Sequence, residues 1–328
     1  MDNTIKKIIG CVVTIGLIML GINKLNVLLR PTNTDTMFSR IYAFDDLPEN
    51  SIEVMIYGSS HAMKGIKAMD MYEQYGIGAF NYGTNWEHIN TTKLFILDSF
   101  KSQTPKLAVI ETYLAAAVLE DVDMNGEIFY TTYMGHSEER TSFLKQCFGN
   151  DLERWLSYYM PLSAFHENWV NLDKSSFQPV DRNSKADSIK KVINNMGFSP
   201  SNQVTKIDMP KTNVKQKKLG KSALSELDDI VEICKEKGSQ ILFVTVPYQK
   251  GFAYSDAMRA YAEKNGADYL NLFDYLDEID IDPKTDFKDS GHLNTAGATK
   301  VTAFLSSYIN QHYDLTDMRE IEGNLWEQ

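Results

Sequence analysis

The order in which short β-rich runs alternate with helical spacing constrains this chain most. Residues 54–57 (Val-Met-Ile-Tyr), 79–81, 107–110, 241–245 and 269–272 are apolar runs of strand length, and 86–101, 222–237, 255–265 and 295–311 repeat their apolar residues every three or four positions. A β-α-β-α order implies parallel strands, because each crossover helix returns the chain to the same end of the sheet and covers one of its faces. The expected fold is a doubly wound α/β domain with a parallel sheet of about five strands. Ligands of such sheets bind in the loops that leave the C-terminal ends of the strands.

Two of those loops carry chemistry. Asp289-Ser290-Gly291-His292 sets a carboxylate three residues before an imidazole, so Asp289 can hold Nδ1–H of His292 and leave Nε2 to take a proton. Gly58-Ser59-Ser60 follows the first expected strand, and Gly58 permits a sharp turn that presents a serine at the strand end. Ser60 is the candidate nucleophile, with Ser59 as the alternative. Either serine alone reads as a helix N-cap or turn residue, and its pairing with Asp289 and His292 at the same end of the sheet favours catalysis.

Together these motifs resemble the SGNH (GDSL-like) esterase and acyltransferase superfamily. Gly58-Ser59-Ser60 matches its first block, Asn81-Tyr82-Gly83-Thr84 its second, and Asp289 to His292, continuing through Leu293-Asn294-Thr295-Ala296-Gly297, its last. The resemblance covers about residues 50–113 and 222–310 and implies a flavodoxin-like sheet. It implies a nucleophile at Ser60, a base at His292 oriented by Asp289, and an oxyanion hole that includes the Ser60 and Gly83 backbone N–H groups. The third block departs from the family: Val109-Ile110-Glu111-Thr112-Tyr113 stands where Gly-x-Asn-Asp is expected. Asn85, two residues beyond Gly83, can supply an amide donor in its place or cap the following helix. An ionised Glu111 has no proton to donate and is expected to orient a neighbour.

Other candidates have plainer explanations. His61 is expected to make a packing or solvent contact, and His88 and His166 fall in helical patterns. Asp121-Val122-Asp123-Met124-Asn125-Gly126 opens like a calcium loop, but its twelfth position is Thr132, so it reads as an acidic turn. The acidic run Asp274, Asp277, Glu278, Asp280 and Asp282 has no His or Cys cluster beside it. No metal and no cofactor are expected, and no phosphate-binding glycine loop follows a strand. A net charge of −11 with a pI near 5.1 argues against nucleic acid as a partner.

At the N-terminus, Lys6-Lys7 precedes a run from Ile8 to Ile22 of apolar residues, Gly and Thr. Fifteen helical residues span only about 22 Å, so Leu25, Val27, Leu28 and Leu29 are expected to extend the segment across a bilayer. No small-x-small cleavage site follows Ile22, which favours an uncleaved single-pass anchor in the cell membrane over a removed signal peptide, with the catalytic domain extracytoplasmic. Lys24 and Arg30 nearly balance Lys6 and Lys7, so the charge bias that sets orientation is weak. Cys11 lies in the anchor, and Cys147 and Cys234 allow at most one disulfide outside it.

The expected division is an anchor at 1–30, a polar linker at 31–49, an α/β domain at 50–313 and a C-terminal tail at 314–328. A helical insertion of about 114–217 interrupts the domain. Within the insertion Trp155, Tyr158, Tyr159, Leu162, Phe165 and Trp169 recur at helical spacing and are expected to pack on the main sheet, with Pro161 starting a second helix. Residues 175–217 read as loop. The predicted function is an extracytoplasmic serine esterase or O-acyltransferase acting on O-acyl groups of cell-envelope polysaccharide. The expected partners are an acylated glycan or other ester and, by family resemblance, a membrane-bound O-acyltransferase. The competing expectation is a non-catalytic protein of the same fold that binds a glycan or assists such a transferase.

Overall fold

The computed structural model describes residues 3–29, 35–117, 130–172, 174–177 and 180–327. Strands β1 (Val54–Tyr57), β2 (Ala79–Asn81), β3 (Leu107–Glu111), β4 (Gln240–Thr245) and β5 (Asp268–Asn271) form one sheet in the order β2-β1-β3-β4-β5. All four pairings are parallel, with Val54 opposite Ala79 on one side and Leu107 on the other, Leu107 opposite Gln240, and Leu242 opposite Asp268. Every residue of β1, β2 and β3 is buried, which explains why their sequences run apolar without alternating. The doubly wound α/β architecture expected from the sequence is the one observed.

The helices are α1 (Asn3–Leu28), α2 (Asp35–Asp45), α3 (Ser60–Gly65), α4 (Ala68–Tyr75), α5 (Ile89–Ser99), α6 (Glu138–Phe148), α7 (Leu152–Tyr159), α8 (Pro161–Phe165), α9 (Ala186–Asn194), α10 (Lys221–Glu236), α11 (Ser255–Asn265) and α12 (Thr295–His312). Helix α5 starts later than the expected residue 86, because Trp86 has a positive φ of 55° that no right-handed helix accommodates. Helices α3 and α4 fill a stretch to which sequence patterning assigned nothing. Both are short, and α3 has no apolar period of its own.

Three segments differ from expectation. Residues 31–49 were expected to be linker, yet α2 packs Met37, Ile41 and Phe44 into the main core while Phe38 and Ala43 meet Ile189 of α9. The i, i+4, i+7 spacing of those three residues is that of a helix face laid on a core. The region 175–217 was expected to be loop, but it contains α9, whose Ile189 is buried. Beyond α9, the Asn81 N–H donates to the Met196 carbonyl at 2.9 Å, so the insertion pairs with the open side of β2. The expected tail also belongs to the folded body: Met318 N–H donates to the Gly76 carbonyl, and Trp326 is 3% exposed and stacks on Tyr72 with ring centroids 5.8 Å apart.

The aromatic stripe of the insertion divides. Tyr158 is buried and Trp155 packs edge-on against Phe148 of α6 at 5.1 Å, whereas Tyr159 and Trp169 are 60% and 66% exposed. Pro161 does begin a helix, but α8 gives way after five residues to a 3₁₀ turn over His166–Asn171. The acidic turn at 121–126 lies outside the described residues.

Helix α1 has a mean hydropathy of 2.1 over its most apolar window and buries none of its side chains. Its end is joined to the insertion. The Asn26 side chain accepts the Leu162 N–H at 2.8 Å, and the Asn168 side chain donates to the Leu29 carbonyl at 2.9 Å.

The buried Trp326 leads to a stability prediction. Trp326→Ala removes a stacked ring and the indole N–H that donates to the Ala79 carbonyl, and is expected to cost about 3–5 kcal/mol in chemical denaturation. A loss below about 1 kcal/mol would mean that the C-terminal segment is not part of the cooperative unit.

Candidate active site

Strand β1 ends at Tyr57 and the chain turns at once. Gly58 has φ of 129°, and a Cβ there would lie 2.7 Å from the Glu111 Cβ, so both conformation and space exclude any other residue. Ser59 then caps α3, its hydroxyl accepting the His61 N–H at 3.2 Å and donating to Glu111 Oε2 at 2.8 Å. With both roles committed and 1% exposure, Ser59 is a structural residue. Ser60, first residue of α3, is only partly buried and directs its Oγ at His292 Nε2, 2.8 Å away.

The loop before α12 is built to aim His292. Asp289 Oδ1 accepts the backbone N–H of Gly291 at 2.8 Å and of His292 at 3.0 Å, and also the His292 ring at Nδ1, 2.8 Å away. Burial alone would raise the Asp289 carboxyl. The Gly291 N–H, the His292 ring and the Lys288 ammonium outweigh it and hold the group below its ordinary value. An ionised carboxylate accepts only, so the ring proton sits on Nδ1 and the Nε2 lone pair faces the Ser60 hydroxyl. The rest of the motif is anchorage. Asn294 caps α12 through Ala296 N–H and Gly297 N–H, and Gly297 is required because a Cβ there would lie 2.3 Å from the Asp286 carbonyl.

Behind the serine lies a buried polar layer. Glu111 accepts Ser59 Oγ and, at 2.8 Å, the Tyr113 N–H, so it orients its neighbours as expected. Glu87 accepts the N–H groups of Gly58 and Thr84 and the Thr92 hydroxyl, tying the loop after β1 to the loop after β2. Buried Arg40 donates to the carbonyls of Gly197 and Asn81 at 2.8 and 2.6 Å. His61 is 3% exposed, stacked on Tyr113 at 3.8 Å and 5.4 Å from the His292 ring. Burial, with His292 adding to it, lowers the His61 pKa to about 3, so it is a neutral packing residue at physiological pH. His88 precedes α5 without capping it by a side-chain bond, and His166 is exposed and bonds the Ser163 carbonyl.

No family model matches the chain, and no curated protein matches it. Among solved structures, the chain is similar to a crystal structure of a putative acylhydrolase from Bacteroides fragilis. The identity is 10%, the TM-score 0.40, and the match covers 82% of this chain and 92% of that chain. A likeness this distant says nothing about chemistry, which rests on the site itself.

The expected oxyanion donors divide. The Gly83 N–H is turned inward to Asn81 Oδ1 at 3.0 Å, and a Cβ at Gly83 would lie 2.9 Å from both the Ala62 Cβ and the Gly58 carbonyl. This glycine therefore serves close packing in place of the expected donor role. Asn85 does not cap α5. Its carbonyl accepts the Tyr130 hydroxyl at 2.8 Å, and its half-buried side-chain amide makes no hydrogen bond among the described residues. No group of three or more His, Cys, Asp or Glu side chains is placed to hold a metal ion among the described residues. Sequence reading missed Arg40 and Glu87, each hidden in a stretch assigned to linker or helix.

Burial pushes the Glu111 carboxyl up to about 7 against the donors Ser59 and Tyr113, and that of Glu87 up to about 8 against Thr92, Gly58 and Arg40. A carboxyl whose folded value lies above its ordinary one stabilises the fold fully at low pH, and that contribution is lost as pH rises through the folded value. The denaturation midpoint is expected to fall between about pH 5 and about pH 8, and Glu111→Gln, which imitates the protonated acid, to flatten the decline below about pH 7. An unchanged slope in Glu111→Gln would mean that Glu111 stays ionised across this range.

Proposed function

We propose that this chain is a serine enzyme acting on O-acyl esters, with Ser60 as nucleophile, His292 as base and Asp289 as the group that orients His292. The relay from Ser60 Oγ through His292 to Asp289, with both contacts at 2.8 Å, carries this reading. Ser60 Oγ attacks the ester carbonyl carbon as its proton passes to Nε2. The tetrahedral intermediate collapses, the C–O bond to the alcohol breaks, and the leaving oxygen takes the proton from Nε2. An acyl-Ser60 remains. A second hydroxyl then gives its proton to Nε2 as its oxygen attacks the acyl carbon, the bond from that carbon to Oγ breaks, and Ser60 Oγ takes the proton from Nε2. Water as that acceptor gives hydrolysis, and a sugar hydroxyl gives transfer. The Ser60 N–H at the start of α3 and the Asn85 amide are the donors proposed for the oxyanion.

Ser60→Ala and His292→Ala are expected to reduce hydrolysis of a short-chain p-nitrophenyl ester to near background in a folded protein, because the relay acts as a unit. Asp289→Asn is expected to lose roughly ten- to a hundredfold less than Ser60→Ala, since packing still holds the ring. Full activity in soluble Ser60→Ala would reject the assignment.

The substrate proposed is a cell-envelope glycan, handled by a single-pass protein whose α/β body lies outside the cytoplasm and works beside a membrane-bound acyltransferase. Trp86, 69% exposed next to Asn85, offers a face on which a sugar ring can stack. Membrane retention of α1 is supported by its ties to Leu162 and Asn168. It is also supported by exposed Leu156, Tyr159, Trp169 and Phe177, which lie in the insertion that carries those ties. Removal of residues 1–22 is expected to leave ester hydrolysis intact, since α1 buries nothing, and to abolish glycan O-acylation in cells when the shortened protein is exported. Normal O-acylation by that protein would show that tethering is dispensable.

One observation favours a second reading, a glycan-binding or assembly protein that uses the site without turnover: the Gly83 N–H is committed to Asn81. Labelling with a fluorophosphonate separates the two, because only an activated serine reacts.

A further inference from the structure

A cleft of about 370 Å³ opens beside α3, and all its charged lining is positive among the described residues: Arg40, Lys64, Lys185 and Lys191. Their convergence stands out in a chain of net charge −11. Arg40 comes from α2, Lys64 from α3, and Lys185 and Lys191 from the start and last turn of α9. Three separate elements, the third more than a hundred residues from the other two, thus bring like charge to one place.

The cleft is lined by Met63 and Lys64 of the helix that begins with the candidate nucleophile. Lys64 stands four residues after Ser60 on α3, on the same helix face and about 6 Å along the axis. Its electrostatic neighbours are Lys288, Asp289 and Arg40, which places it between the Asp289 loop and the floor of the cleft. Asn85 and Thr84 form the adjoining wall, and the Thr84 N–H donates to the Gly58 carbonyl at 2.9 Å.

Like charges held in a partly dry cleft repel one another, and an anion relieves that cost. Neither Lys64 nor Lys191 forms an ion pair among the described residues. Arg40 is 5% exposed, and its Nε has no hydrogen-bond partner. The geometry also discriminates between anions. A planar carboxylate is best held by the paired nitrogens of one arginine, but the two terminal nitrogens of Arg40 already donate to the carbonyls of Gly197 and Asn81. What is left is a set of ammonium groups around the opening with the hydroxyls of Ser188 and Ser199 between them. Point charges and hydroxyls arriving from several sides suit a tetrahedral anion with several oxygens.

We propose that this cleft binds a phosphoryl group carried by the ester substrate of Ser60, about one glycerol or sugar unit away from the bond that is cleaved or formed. The proposal rests on the serine reading above and narrows its substrate to phosphorylated polyols or sugars. The site selects substrate by charge, while Ser60 and His292 supply the chemistry.

The test uses the full chain in detergent and two esters that differ only in the anion, 1-acetylglycerol 3-phosphate and 1-acetylglycerol. Wild-type kcat/KM is expected to be at least about tenfold higher for the phosphorylated ester. In Lys64→Gln/Lys191→Gln the ratio of the two values is expected to approach one, and Lys64→Arg should preserve it because charge is kept. Equal values in the wild type, or a ratio untouched in the double variant, would overturn the proposal. A binding measurement separates it from the serine reading. Calorimetric titration of Ser60→Ala with glycerol 3-phosphate should show binding, glycerol should show none, and the double variant should weaken the former at least about tenfold. If neither ester is cleaved, the serine assignment has failed and this titration still decides the cleft: absence of glycerol 3-phosphate binding overturns it.

Discussion

The contact between Ser60 Oγ and His292 Nε2 joins residues 232 positions apart, and most of the fold can be understood as what brings those two atoms within 2.8 Å. Neither partner is placed by its own loop alone. Ser60 is set by the turn at Gly58, which exists because β1 and β3 pair in register and leave no room for a side chain against Glu111. His292 is set by Asp289 and by the capped start of α12. Helix α12 packs on α3 and α4. The sheet therefore acts as a ruler: a one-residue slip of β1 would turn its alternating side chains over and carry the serine away from the histidine.

The polar layer beneath the serine performs a different task from the relay. Arg40, Glu87 and Glu111 are all nearly fully buried, and burial of such groups is costly unless hydrogen bonds satisfy them. Each makes at least two such bonds: Glu87 accepts the Gly58 and Thr84 N–H groups, Glu111 the Ser59 hydroxyl and the Tyr113 N–H, and Arg40 donates to the carbonyls of Asn81 and Gly197. A loop at the end of a parallel strand has no ladder to hold it, so buried side chains take over that role and fix the turn geometry that the Ser60–His292 contact needs. His61 contributes from the other side. Neutral, stacked on Tyr113 and edge-on to Tyr248, it forms a buried wall next to His292.

How far this was legible in the sequence follows from which interactions are local. The strands expected at 54–57, 79–81 and 107–110 announced themselves because burial on both faces leaves continuous apolar runs. Asp289 and His292 announced themselves because their spacing of three residues is itself the hydrogen-bonded loop. Helix α2 was hidden: it is short, and it is buried on more than one side, with Met37, Ile41 and Phe44 in the main core and Phe38 and Ala43 against Ile189, so no single apolar stripe marks it in the sequence. The inward turn of the Gly83 N–H was hidden for another reason. A glycine is compatible with donating to an oxyanion and with close packing, and only the position of Asn81 decides between them. Arg40 and Glu87 had no local signature at all, since a buried charge is recognisable only from its partners, and the carbonyls of Asn81 and Gly197 lie 41 and 157 residues from Arg40.

The two sides of Ser60 are chemically unlike, and that asymmetry bears on what a serine enzyme here could transfer. On one side stand the His61, Tyr113 and Tyr248 rings, the last two 5.1 Å apart edge to face, and on the other the cationic cleft beyond Lys64. An apolar wall packed this closely suits a compact acyl group and excludes water from one flank of the ester, which strengthens the electrostatic contacts made by the relay. A wide cationic cleft suits the alcohol portion, where a polar, charged unit must enter and leave. In the proposed mechanism the acyl group stays on Ser60 while one alcohol is replaced by another, so the cleft that admits the leaving alcohol must also admit the acceptor. If that cleft holds a phosphorylated unit more tightly than water competes for the same space, the acceptor is pre-positioned and transfer prevails over hydrolysis by proximity alone, with no change in the relay.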